Sequence, residues 1–252
     1  MLGIEAKTAL VVGGSRGIGA ACAEMLAQAG ARVVVTYCNH REAASKVLRK
    51  IESLNQSGMI LRCNVARPRD CERVARTVED SFGCIDILVN SAGIWEYDPL
   101  PAVTPQRWNR SISTNLSGTF NMCRAVIPNM VRRRFGRIVN ISSTAGQRGE
   151  AYHSPYAAAK GGIIALTKSM AVELIKSGIR VNCVAPGWVR TEMIGRVAKN
   201  PRELREVVSS IPRGCMATPE EIAGPVLFLS SDLAENIVGE VLNVNGGSVL
   251  CG

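Results

Sequence analysis

The motif S-P-Y-A-A-A-K sets the phenol of Tyr156 and the ammonium of Lys160 four residues apart. On a helix that spacing puts both side chains on one face. Ser154 is a candidate N-cap and Pro155 suits a first helical position, so a helix is expected to start here. A phenol titrates at about pH 10, and a neighbouring cation can draw it down towards a working range. Tyr156 is then a candidate general acid for a carbonyl oxygen. The alternative is a half-buried tyrosine beside a lysine whose stem lies along it. Two further features fall where such a site needs polar groups. Ser142 and Ser143 follow an apolar run ending at Ile141, at the expected C-terminal end of a strand, where open α/β sheets bind ligands. Asn115 sits inside a long helical pattern, and asparagine in a helix interior calls for a reason.

A second chemical signal lies near the N-terminus. The run V-V-G-G-S-R-G-I-G places Gly13, Gly17 and Gly19 between an apolar strand and an Ala-rich helix. Gly13 permits a tight turn, and Gly17 and Gly19 let a pyrophosphate approach the backbone. The helix N-terminus adds free N–H groups and a positive dipole end. The second strand ends V-V-V-T-Y-C-N-H-R, with no acid before Glu42 to hold a ribose 2′-hydroxyl. Arg16, Asn39, His40 and Arg41 instead offer cations and donors suited to a 2′-phosphate, so NADP(H) is favoured over NAD(H). The alternative for Arg16 and Arg41 is a solvated surface charge.

Strand and helix patterns alternate along the chain. Strands are expected over Thr8–Val12, Arg32–Thr36, Met59–Cys63, Ile85–Asn90, Arg137–Ile141, Arg180–Val184 and Val241–Val244. Helices are expected over Ile18–Ala29, Arg41–Leu54, Pro68–Phe82, Pro105–Arg133, Pro155–Lys176 and Pro219–Leu229. This alternation implies an α/β fold with a doubly wound parallel sheet of about seven strands and helices on both faces. No linker divides the chain, so residues 1–252 are read as one domain. The polar segment 189–213, with Pro201 and Pro212, departs from the alternation and reads as an irregular substrate lid.

The 252 residues are 46% hydrophobic and 20% charged, as in an ordinary globular protein. No apolar run is long enough for a membrane span, and the first residues do not read as a signal peptide. The nine cysteines are odd in number and lack C-x-x-C spacing, which suits reduced thiols and a cytoplasmic location. With only His40 and His153 available, no metal site is expected. The net charge of +9 admits an acidic partner, but 4% aromatic residues and no reading helix argue against nucleic acid.

Taken in order, G-G-S-R-G-I-G, N-S-A-G at Asn90–Gly93, Asn115, Ser143, Y-A-A-A-K and P-G at Pro186–Gly187 resemble the short-chain dehydrogenase/reductase family over nearly the whole chain. Ser143 stands thirteen residues before Tyr156, the spacing of the family serine. The resemblance implies a Rossmann-type fold and a catalytic set of Asn115, Ser143, Tyr156 and Lys160. Tyr156 would donate the proton. Lys160 would lower its pKa and bind the nicotinamide ribose. Ser143 would hold the substrate carbonyl, and Asn115 would anchor a water linking Lys160 to solvent. Cofactor contacts carry over to Gly13, Ser15, Arg16, Gly17, Ile18 and Gly19 in the glycine loop. They also carry over to Tyr37, Asn39 and Arg41 after the second strand, and to Asn64 and Val65 near the adenine. Asn90, Ala92 and Gly93, then Pro186, Gly187, Val189 and Thr191, complete the set. Val12, Asn64, Ser91 and Asn245 depart from frequent family residues without removing a reacting group.

Within the family the pattern is similar to the 3-oxoacyl-[acyl-carrier-protein] reductases, which implies reduction of a 3-oxoacyl thioester of carrier protein or CoA. Arg134 matches a basic residue that docks the acidic carrier, although the second such position holds Ser177. Arg132–Arg134 could equally complement a helix C-terminus. Six basic and three acidic residues in the lid would suit an anionic substrate or a solvated face. Trp95 and His153 are candidate substrate contacts, and with Tyr97 the indole could narrow the pocket for a ring or a short acyl chain. The alternatives are a dehydrogenase of another alcohol, sugar or cyclic ketone, and a non-catalytic dinucleotide-binding scaffold. The resemblance further implies a homotetramer or dimer.

Overall fold

A computed structural model describes residues 2–250. Seven strands form one parallel sheet in the order β3-β2-β1-β4-β5-β6-β7. They are β1 Thr8–Val12, β2 Arg32–Tyr37, β3 Gly58–Arg62, β4 Ile87–Asn90, β5 Gly136–Ile141, β6 Ile179–Pro186 and β7 Val241–Val244. The main helices are α1 Gly17–Gln28, α2 Arg41–Ser53, α3 Pro68–Phe82, α4 Pro105–Ile112 and α5 Gly118–Arg133. They continue with α6 Thr144–Arg148, α7 Ser154–Leu174, α8 Gly195–Ala198, α9 Pro201–Ser209 and α10 Pro219–Ser230.

The strand alternation sorts the core into two layers. Ala9 and Val11 of β1 join Leu26 of α1, Ile51 of α2 and Val226 of α10 on one face. Leu10 and Val12 join Val78 of α3, Met122 of α5 and Leu174 of α7 on the other. With both faces covered, the central strands read as continuous apolar runs. β1 pairs with both β2 and β4, so the strand order reverses between β1 and β4. A crevice opens there above the strand C-termini, the usual ligand position in such sheets.

Three expectations need correction. The long helical pattern Pro105–Arg133 is not one α-helix: Ser113–Ser117 forms a π turn between α4 and α5. Such turns inside helices occur frequently at functional sites, and the buried Asn115 lies in this one. Ser154 does not cap α7; it lies in the first turn, His153 holds the N-cap position, and the Ser154 hydroxyl is buried without a partner. Pro155 does sit in the first turn. The lid is not irregular, because α8 and α9 fold within it around Ile194, Ile211 and Met216.

Element ends differ by a residue or two elsewhere; β4, for example, begins at Ile87 rather than Ile85. Eight cysteines are free thiols, four of the five buried ones lying in the two core layers; Cys251 lies outside the described residues. Among the described residues no helix is long and apolar enough to cross a membrane. No group of histidine, cysteine and carboxylate side chains there could hold a metal ion.

Candidate active site

A cavity of about 1170 Å³ runs along the C-terminal ends of the strands, from the β2–β3 side to the lid. Its floor at the switch point is the glycine loop. Gly13 has φ +75°, and a Cβ there would stand 2.7 Å from the backbone of Ala92 after β4. Only glycine lets the two strand ends approach this closely. The N-cap residue of α1, Arg16, makes no side-chain cap, so no side chain covers the helix's first N–H groups. Ser15, Arg16, Gly17 and Ile18 line the cavity, and Thr191 packs over Gly17. An uncapped helix start facing a cavity fits a pyrophosphate.

At one end, Tyr37, Cys38, Asn39 and His40 follow β2 into the cavity wall. No carboxylate lines this end, whereas Arg16 and His40 do. Arg41 begins α2 and does not line the cavity, so His40 stands where Arg41 was expected. Asn64 and Val65 line the adjoining wall. The Asn64 side-chain carbonyl accepts from Ala66 N–H at 3.1 Å, and Val65 is held by Asn121, whose amide donates to its carbonyl at 2.9 Å. Gly19 and Asn90 are not cavity residues. The Asn90 amide instead donates to Asn140 at 2.9 Å, and Asn140 to Thr167 at 2.9 Å, which ties β4 and β5 to α7.

At the other end the catalytic candidates converge. Ser143, Tyr156 and Lys160 line the cavity with Ala92, Gly93, Pro186, Gly187 and Val189. Ser142 and Ser143 separate in role. Ser142 is buried and its hydroxyl donates to the Lys160 carbonyl at 2.8 Å. Ser143 caps α6, accepting from Ala145 N–H at 3.1 Å, and its hydroxyl reaches the Tyr156 phenol. Lys160 is buried, and its Nζ donates to the Ile141 carbonyl at 2.6 Å. Asn115 does not line the cavity; it is fully buried behind Gly93. Its amide donates to the Ser111 and Ile94 carbonyls and accepts from Ile94 N–H at 2.9 Å. A Cβ on Gly93 would lie 2.7 Å from Asn115 Oδ1 and 3.8 Å from Lys160 Nζ, so both side chains reach the same stretch of backbone.

Burial sets the electrostatics. It pushes the Tyr156 phenol up, and the Ser143 hydrogen bond opposes this while the Glu150 charge adds to it. It pushes Lys160 down to about 8, with the nearby Cys183 thiol pulling the other way. The expected net lowering of Tyr156 is therefore not met in this structure, where burial sets the direction. The phenol keeps its proton at neutral pH, as a proton donor must.

The substrate candidates divide. Trp95 lines the cavity. His153 does not; it is buried behind Trp95, with ring centroids 4.1 Å apart. Its Nδ1 lies 2.8 Å from the Glu96 carbonyl, which can only accept, so Nδ1 carries the proton. Arg134 lies just before β5, at the sheet end opposite Ser143, and donates to the Lys176 carbonyl at 2.9 Å. Within one chain it is thus remote from the cavity. Three of the six lid cations are paired: Arg196 with Glu203, Arg202 with Glu206 and Arg213 with Glu221. Trp188 and Glu150 are among the lining residues that sequence reasoning missed. Trp188 could have been found, since an aromatic directly follows the P-G pair. Glu150 carries no signal in the sequence, because only folding brings it to Trp95.

Comparisons with known proteins agree with this geometry. The family model described as Enoyl-(Acyl carrier protein) reductase matches residues 12–248. The 3-oxoacyl-[acyl-carrier-protein] reductase FabG of Vibrio cholerae is 42% identical over 246 residues, 98% of each chain. That of Escherichia coli K12 is 41% identical over the same share. A crystal structure from Sinorhizobium meliloti 1021, described as a short-chain alcohol dehydrogenase, superposes with TM-score 0.94 at 33% identity, covering 98% of this chain and 97% of that one. With such agreement across almost every residue, the chain belongs to the short-chain dehydrogenase/reductase family.

Proposed function

We propose that this protein reduces a 3-oxoacyl thioester to the 3-hydroxyacyl thioester with NADPH. The observation that carries the reading is the meeting of Ser143 and Tyr156 hydroxyls in one cavity with the uncapped glycine loop. The named activity of the relatives supports the choice of substrate. The glycine loop would hold the pyrophosphate, Arg16, Asn39 and His40 the 2′-phosphate, and Thr191 with Pro186–Val189 the nicotinamide. Bound NADPH supplies a hydride to the carbonyl carbon. Ser143 and Tyr156 hydrogen-bond the carbonyl oxygen, and Tyr156 gives it a proton as negative charge develops. Lys160 steadies the phenolate left behind, and Asn115 holds the backbone at Gly93 and Ile94 behind it.

An acidic carrier protein is the proposed carrier of the acyl group, drawn by the net charge of +9. Self-association is proposed through α4, α5 and α7. One face of each of the stretches 120–131 and 163–174 is buried, but Phe120, Val131 and Val172 remain exposed, as does Trp108. A single reducing compartment, the cytoplasm, suits the free thiols. The test is a panel of 3-oxoacyl thioesters, sugars and cyclic ketones with NADPH and NADH in parallel. The reading expects thioester turnover with NADPH preferred. Turnover confined to another ketone class would overturn it.

A further inference from the structure

We infer that Trp95 is a chain-length stop, an indole fixed across the substrate end of the cavity so that only short 3-oxoacyl groups fit beside Tyr156. The inference rests on the proposed thioester activity and names the acyl group within it. Three loops, after β4, after α6 and after β6, bring Trp95, Glu150 and Trp188 to this end.

Trp95 is held from three sides. Its Nε1–H donates to Glu150 Oε2 at 3.1 Å. Its ring stacks on His153 at an interplanar angle of 12°, and Trp188 meets it edge-on at 5.8 Å and 87°. Each support is itself anchored. His153 is buried and tied to the Glu96 carbonyl, and Trp188 packs into the lid core of Ile194, Ile211 and Met216. An outer ring of contacts closes the collar. Tyr97 stacks on Tyr152 at 5.2 Å, the Arg196 guanidinium of α8 lies 4.8 Å over Tyr97, and Asp98 N–H donates to the Tyr152 carbonyl at 2.7 Å. A flexible aliphatic side chain at position 95 could turn aside for a longer acyl chain. An indole pinned by a hydrogen bond and two ring contacts cannot do so without also stranding the half-buried Glu150 carboxyl, whose pKa desolvation already pushes up.

An open apolar channel would gain up to about fourfold in kcat/KM for each further methylene buried. A stop predicts the opposite. The experiment measures kcat/KM with NADPH across 3-oxoacyl-CoA thioesters from 3-oxobutanoyl to 3-oxododecanoyl. The wild type is expected to lose at least about tenfold between 3-oxobutanoyl and 3-oxooctanoyl. Trp95→Ala is expected to raise the 3-oxooctanoyl to 3-oxobutanoyl ratio by about tenfold or more. Glu150→Gln, which keeps an acceptor for the indole, should retain more discrimination than Glu150→Ala. If Trp95→Ala does not fold, Trp188→Ala tests the same wall from the lid side. A wild-type profile that is flat or rises with length overturns the inference, as does an unchanged ratio in a folded Trp95→Ala or Trp188→Ala protein. Preference for a flat cyclic ketone over 3-oxobutanoyl-CoA also overturns it. Failure on thioesters of every length, with turnover of other ketones, overturns the proposed function instead.

Discussion

Lys160 holds its ammonium 5.6 Å from the centroid of the Tyr156 ring while donating to the Ile141 carbonyl. Burial pushes the two groups in opposite directions, the phenol up and the lysine down to about 8. Across the neutral range Tyr156 keeps its proton and Lys160 its charge, the pair of states that reduction needs. We therefore expect kcat/KM for reduction to hold below about pH 8 and to decline above it. A pH profile checks this, and a rate unchanged well above pH 8 contradicts it.

The same burial fixes the sign of a stability effect. The unfolded chain would keep the Lys160 proton up to its ordinary value of 10.5, whereas the folded chain releases it at about 8. Between those limits the unfolded state binds more protons, so this group's contribution to stability rises with pH. Below about pH 8 the buried charge costs stability. Lys160→Met should thus leave Tm unchanged or higher near neutral pH while cutting reduction by about 10²-fold or more. A Tm lowered by several degrees at neutral pH would contradict the sign.

Asn115→Ala should destabilise. It removes an amide that satisfies both the N–H and the carbonyl of Ile94 as well as the Ser111 carbonyl, all at a fully buried side chain. Leaving these groups unpaired costs about 2–4 kcal/mol. That corresponds to a Tm fall of roughly 5–15 °C in a chain of this size. Differential scanning calorimetry measures it, and an unchanged Tm would show that Asn115 does not hold this loop.

Arg16 is the one arginine at the 2′-phosphate end that lines the cavity. Arg16→Ala should weaken NADPH binding by about tenfold, NADH binding by much less, and flatten the salt dependence of NADPH binding. Fluorescence titration at two ionic strengths separates these. Equal losses for both cofactors would remove Arg16 from phosphate recognition. Arg41→Ala, at a residue outside the cavity wall, is the matched comparison.

The parallel sheet was legible because buried β-branched runs and helical periodicity are local properties. The glycine loop was legible for the same reason, since Gly13 and Gly17 serve turns of their own segment. Asn115 drew attention as a misfit in a helix, but the π turn around it and its hydrogen bonds to the Ile94 backbone, 21 residues away, are not visible in composition. Ser154 looked like a cap and is not one, because His153 takes the N-cap position. Glu150 and the collar around Trp95 were illegible. They join loops 55 residues apart in the chain, and only the sheet brings those loops together. Arg134 shows the converse, since a motif match placed it at the substrate and the direction of β5 places it at the far end.

Proton donation by Tyr156 is tested most directly by NADPH oxidation with a 3-oxobutanoyl thioester, comparing the wild type with Tyr156→Phe and measuring NADPH binding in parallel. The expected result is a fall in kcat of about 10²–10⁴-fold, with NADPH affinity changed by less than about threefold. A Tyr156→Phe protein that reduces the thioester at the wild-type rate would contradict it.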